Sequence, residues 1–175
     1  MNNTKTIFKS LLIMIVAISL FTVSCSKDEG GTKTPTTPKI VKVSADQITG
    51  VLQGLGELKD TDQKTVILDF TSITPQDGSA SIANANKSFA KVKTALGNVA
   101  STPQNMLEVT DNLSTITAKP NANEALSVEL TFKAKSGFEF DETITADSAT
   151  AYTYDKNNKT AKLTLKITPA AAWEQ

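Results

Sequence analysis

The 175-residue chain contains no histidine and no arginine, and it has a single cysteine. All 18 of its cations are lysines, set against 18 acids, so its formal net charge is zero. Each gap closes off a chemistry. Without histidine, neither a Ser/His/Asp nor a Cys/His catalytic set can be assembled. Zinc sites built on His or on several Cys are out of reach, and one cysteine cannot form a disulfide within its own chain. Neutral net charge without arginine argues against nucleic acid as a partner. Carboxylates are the catalytic option that remains, at Asp60/Asp62 and Glu139/Asp141/Glu142. A glycosidase pair would need two of them about 5–10 Å apart in a cleft, and it usually comes with aromatics that stack sugars. Aromatics make up only 6% of this chain. The expectation is therefore a protein that is not an enzyme and carries no cofactor.

What is present is concentrated at the N-terminus. Lys5 and Lys9 form a positive leader with no acid beside them, and Leu11 to Val23 is an apolar run interrupted only by Ser19 and Thr22. That run falls short of the roughly 18–20 residues a bilayer-spanning helix needs, and its order of parts is that of a secretory signal. A secreted protein cut near Ser24 and an uncleaved anchor are the two plain readings. The cysteine decides between them and a third, because Cys25 closes the apolar run directly behind the small Ser24.

Val23-Ser24-Cys25 resembles the end of the lipobox of bacterial lipoprotein precursors. Thr22 stands where that family prefers Leu. The resemblance covers some 30 residues and implies processing, not fold. Residues 1–24 would be the signal peptide, cleaved before Cys25, and the Cys25 thiol would carry lipid. Lipid contributes about 0.8 kcal/mol per buried methylene, so one chain holds marginally and two or more hold stably. Lys27, Asp28 and Glu29 follow, and a Lys with two acids behind the lipidated Cys resembles the export signal of surface-exposed lipoproteins in Bacteroidota-type bacteria. Ser26 behind the Cys also fits release from the inner membrane. The implied location is the outer membrane, lipid-anchored and facing the cell exterior.

Residues 26–39 contain no hydrophobic side chain. Such a segment cannot offset its ordering entropy by burial, so residues 25–39 are expected to be a lipidated Cys and a disordered Thr/Pro/Gly linker. At about 5–6 Å × √n, fourteen residues reach roughly 20 Å. Residues 40–175 are then a single domain with 13 Lys against 16 acids, long enough to bury about two-thirds of its unfolded surface.

Within that domain, Ile40 to Val43 reads as an entering strand, and Ser44 with Gln47 as a capping box. Ile48, Val51, Leu52, Leu55 and Leu58 follow helical spacing, weakened by Gly50, Gly54 and Gly56. Thr65 to Phe70 reads as a strand, and Pro75-Gln76-Asp77-Gly78 as a turn. Ile82, Ala85, Phe89, Val92, Leu96 and Val99 predict the best helix, with Lys87, Lys91 and Lys93 off its stripe. Thr102-Pro103 could open a further helical turn carrying Met106, Leu107 and Leu113, or Leu113 to Ala118 could be a strand. The last third alternates: Leu126, Val128, Leu130 and Phe132, then a bend at Ser136-Gly137 into Phe138-Glu139-Phe140, then Leu163, Leu165 and Ile167 after a hairpin loop at Asp155 to Lys159. The predicted class is α+β, an antiparallel sheet with two main helices packed on one face.

Three smaller features complete the reading. Asp60-Thr61-Asp62 and Phe140-Asp141-Glu142 offer hard oxygen ligands, but without the Gly-turn and closing Glu of a calcium loop, so no metal is expected. Asp147-Ser148-Ala149 resembles the short O-glycosylation motif of Bacteroidota secreted proteins, which implies a glycan on Ser148 if that residue is exposed. Leu126 to Phe140, with Lys135-Ser136-Gly137-Phe138 at its bend, resembles the repeated domain of variable bacterial surface lipoproteins, which implies an antigenic surface domain and no activity. The expected function is a non-catalytic adhesive, structural or antigenic module, held to the membrane through Cys25 and meeting a protein or glycan partner outside. The alternative is a carbohydrate- or peptide-binding subunit of an envelope uptake system, for which Tyr152, Tyr154 and Trp173 would have to line a cleft.

Overall fold

In a computed structural model of the chain, the described residues are 38–76, 78–101, 105–147 and 152–175. They belong to one compact unit, Pro38–Gln175. Cys25, Lys27, Asp28, Glu29, Asp77, Thr102, Pro103 and Ser148 lie outside the described residues. The class is α+β.

The principal sheet is built on alternation. Strand β10 (Thr160–Pro169) lies antiparallel to β7 (Leu126–Ala134), with Leu163 opposite Leu130, Leu165 opposite Val128 and Ile167 opposite Leu126. Because side chains alternate, this register sends all six to one face, where they are buried, and sends Lys162, Thr164 and Lys166 to the other. Fully burying such a side chain stabilises by about 1.5–3 kcal/mol each. Outside β7 runs β6 (Leu107–Asp111), also antiparallel. On the far side of β10, one half pairs with β9 (Thr153–Asp155) and the other with β5 (Ser79–Ala85). β5 in turn pairs with the short β4 (Pro75–Gln76), and Gly78 just before β5 takes φ +81°. The sheet is antiparallel except at the seam between β5 and β10, which is parallel. Two small sheets flank it: the parallel pair β1 (Val41–Val43) and β8 (Phe138–Phe140), and the hairpin of β2 (Glu57–Lys59) with β3 (Val66–Asp69).

Helix α1 (Ala45–Gly54) starts at the capping box. Ser44 Oγ accepts from the Gln47 amide at 3.2 Å, and Gln47 Oε1 accepts from the Ser44 amide at 2.9 Å. Helix α2 (Phe89–Ser101) turns Phe89, Val92, Leu96 and Val99 inward. These residues join Ile48 and Leu52 of α1 and the inner sheet face in one core cluster. A one-turn helix, α3 (Glu142–Thr145), is capped by Asp141.

Three expectations need correction. The helix predicted from Ile82 begins only at Phe89. Ala80 and Ile82 are buried on β5 while Ser81 is exposed, so this short stretch satisfies the two-residue period as well as the helical one. Asn84 takes φ +58° where the pairing of β5 with β10 shifts register, and strand and helix are separated at Asn86, whose Oδ1 accepts the Ser88 amide at 2.9 Å. Leu58 lies on β2 and not on the first helix, because Gly56 at φ +63° turns the chain away. Leu107 lies on strand β6, and Leu113–Thr115 is a single 3-10 turn, neither a strand nor the continuation of a helix.

Candidate functional site

Three of the acids singled out by sequence are held by neighbouring groups. Asp60 Oδ1 accepts from the Asp62 amide at 3.1 Å and the Lys64 amide at 3.0 Å. The Lys64 hydrogen bond is the main reason its carboxyl is held below the ordinary value. Asp141 Oδ1 accepts from the amide and hydroxyl of Thr143 at 2.9 and 2.5 Å, the work of a helix cap. Glu139 is ion-paired with Lys42 on the neighbouring strand. The two acidic groups also line different clefts. Asp60 and Asp62 border one of about 720 Å³ between the β2–β3 hairpin and α2, where Glu57 and Lys59 pair at 3.0 Å. Asp141 and Glu142 border another, of about 450 Å³, beside Lys42. Among the described residues no group of three or more acids or thiols is placed to hold a metal ion.

The three aromatics part company. Trp173 is buried, donates from Nε1 to the Glu124 carbonyl at 2.7 Å and meets Phe89 edge-on at 6.3 Å. Tyr152 is buried against Phe132 with its hydroxyl 3.4 Å from Thr49 Oγ1. Burial pushes its phenol up to about 12. Both are buried in the core, although Tyr152 also borders a cleft of about 260 Å³ with Asp147 and Tyr154, so burial weakens these two supports for the uptake reading. Tyr154 is half-buried and lines a larger cleft.

That cleft, of about 620 Å³, combines parts that lie far apart in the chain. Its apolar side is made by Ile40, Phe138 and Tyr154, and Phe140 meets Tyr154 edge-on at 6.0 Å. Its polar side is made by Lys133 from the outer face of β7 and by Asn158 and Lys159 from the β9–β10 loop. The loop is wound around one carboxylate. Asp155 accepts from the Asn157 and Asn158 amides at 2.9 and 3.1 Å through Oδ1, and from the Asn158 side chain at 2.7 Å through Oδ2. The Asn158 side chain is the chief cause holding the Asp155 carboxyl below its ordinary range. Lys159 closes the loop at φ +53°, a conformation that non-glycine residues adopt at a cost. Lys133 and Lys159 carried no functional signal in sequence, and Phe138 entered only as part of the bend at Lys135-Ser136-Gly137-Phe138. A strand's outward Lys and a loop's Lys look like ordinary solvated surface until the bend at Gly137 lays Phe138 beside them.

No protein-family model, no curated protein and no solved structure matches the chain. Among the described residues no helix is long and apolar enough to cross a membrane. The geometry itself therefore carries the functional reading.

Proposed function

We propose that the chain is a lipid-anchored module of the bacterial cell surface, in which a non-catalytic domain is carried on a short tether from Cys25. The observation that carries this reading is where the compact unit begins. It starts at Pro38, at the end of the apolar-free stretch behind Cys25, and the first strand opens at Val41. A signal-like leader, a lipobox-like cysteine, a spacer without hydrophobic residues and a folded unit stand in the order an anchored surface domain requires. The commitment of Asp60, Asp141 and Glu139 to loop, cap and ion pair supports a role in contact rather than in catalysis.

Radiolabelled palmitate fed to cells expressing the full chain is expected to label it, and Cys25→Ala is expected to abolish the label. Equal labelling of the variant would end the anchored reading. Protease treatment of intact cells addresses the facing: loss of the domain is expected, and survival on unbroken cells would place it inside. The cleft lined by Tyr154 favours one sharper version of this function, in which the contact made is with a soluble or surface-borne ligand.

A further inference from the structure

We propose that the cleft between β8 and the β9–β10 loop binds an acidic oligosaccharide, a sugar chain bearing carboxylates. The proposal deepens the reading of the domain as a contact module by naming what it contacts, and it does not depend on the lipid.

Charge is the first argument. Residues 40–175 carry three more acids than lysines, yet the balance reverses locally at this cleft. Its lining includes Lys133, Lys156 and Lys159 and a single acid, Glu139. Glu139 is already neutralised by Lys42, and Lys156 pairs with Asp147 at 3.1 Å. Among the described residues, Lys133 and Lys159 have no ion-pair partner. Two ammonium groups thus border a concavity whose one lining acid, Glu139, is paired with Lys42, while Glu108 stands opposite Lys133 on the neighbouring strand β6.

Shape and surface are the second argument. The cleft is within the range of about 300–1,000 Å³ typical of ligand sites. Its wall is aromatic and half-exposed, at Phe138 and Tyr154, with the Tyr154 ring packed edge-on against Phe140. Aromatic lining of this kind suits the CH-bearing face of a pyranose, and flanking amines suit carboxylates set along the chain. Preorganised partners lose little entropy on binding.

Backbone conformation is the third argument. Lys159 occupies the left-handed region where glycine or asparagine would be at ease, and Asn158 stands one residue earlier. A left-handed residue is an ordinary closure for a short hairpin loop, and here it sets Lys159 at the edge of the cleft. It also supplies a clean test, because Lys159→Gly relieves the backbone while removing the amine.

The experiment is calorimetric titration of the purified full chain with tetragalacturonate, with the neutral galactose tetramer as control. Binding of the acidic tetramer alone is expected, weakening with added salt because the contacts are exposed ion pairs. Lys159→Gly and Lys133→Gln are each expected to weaken it roughly tenfold, about 1.4 kcal/mol in binding free energy. Melting temperatures should be unchanged or higher for Lys159→Gly, so loss of binding there cannot be ascribed to unfolding. The proposal is overturned by any of four results: no heat with the acidic tetramer, equal binding of the neutral one, wild-type affinity in both lysine variants, or capture by phosphatidylglycerol vesicles without binding of the oligosaccharide. The last result would assign the cleft to a lipid surface. Because the titration is independent of acylation, its failure leaves the palmitate result at Cys25 standing, and the converse holds as well.

Discussion

Single residues in this domain show how burial redirects chemistry that sequence leaves open. Tyr152 and Tyr154 are two positions apart and identical in kind, yet one is buried in the core and the other is half-buried. The Tyr152 phenol is raised from 10.0 to about 12, first by desolvation, with a small contribution from Asp46, against the Thr49 hydrogen bond. The folded protein therefore holds this proton more tightly than the unfolded chain. The associated stability is whole below pH 10 and is lost as pH rises from 10 toward 12. Over that interval the loss should reach roughly 2–3 kcal/mol. Urea unfolding at stepped alkaline pH is expected to show this decline, and Tyr152→Phe should flatten it. A folded Tyr154→Phe variant whose remaining phenol ionises near 10 by ultraviolet absorbance would refute the assignment. Lys159 is the opposite case, a surface residue whose cost lies in its backbone. Its replacement by Gly should stabilise the fold by about 0.5–1 kcal/mol.

Whole elements were legible to the extent that their signals were local. The capping box at Ser44 and Gln47 is present with both of its hydrogen bonds. Since its partners lie three residues apart, no tertiary context was needed to see it. Ser44→Ala should destabilise the domain by about 1 kcal/mol in chemical denaturation; an unchanged midpoint would mean that tertiary contacts alone hold α1. The strands β7 and β10 were also legible, because Leu126 to Phe132 and Leu163 to Ile167 alternate without interruption. The segment from Ser79 to Ala85 was not. Its apolar residues, Ala80, Ile82 and Ala85, are few and fit either period. What makes it a strand is pairing with β10, more than eighty residues later in the chain. The same holds for Leu107–Asp111, which becomes a strand by lying along β7. Neither partner announces itself within a short window of sequence.

At the scale of the whole molecule, the last strand is the one on which the sheet depends. β10 touches β7 along one edge and β5 and β9 along the other, so three pairings depend on residues after Thr160. Beyond it, Trp173 fills the space against Phe89, and the Phe89 amide donates to the Glu174 carbonyl at 2.9 Å. A chain stopped before Thr160 is expected to lose dispersed amide NMR signals altogether, not merely those of its missing tail. Retention of a folded spectrum would show that the rest of the sheet closes without its centre. The central position of the final strand also makes the domain a non-local fold, whose assembly waits on long loop closures.

The sequence by itself determined the class of the protein: α+β, with chemistry that excludes histidine, arginine and thiol catalysis from residues 26–175, behind a leader that resembles a lipoprotein signal. Composition and local periodicity suffice for such statements because each depends on residues within a turn or two of one another. Only the tertiary structure decided that one seam of the sheet is parallel, that Tyr152 and Trp173 are core, and that Phe138, Lys133 and Lys159 border a single cleft. These depend on which strand lies beside which. That choice is made by burying one face of Leu, Ile, Val and Phe across segments far apart in the chain, and the cleft is a by-product of it.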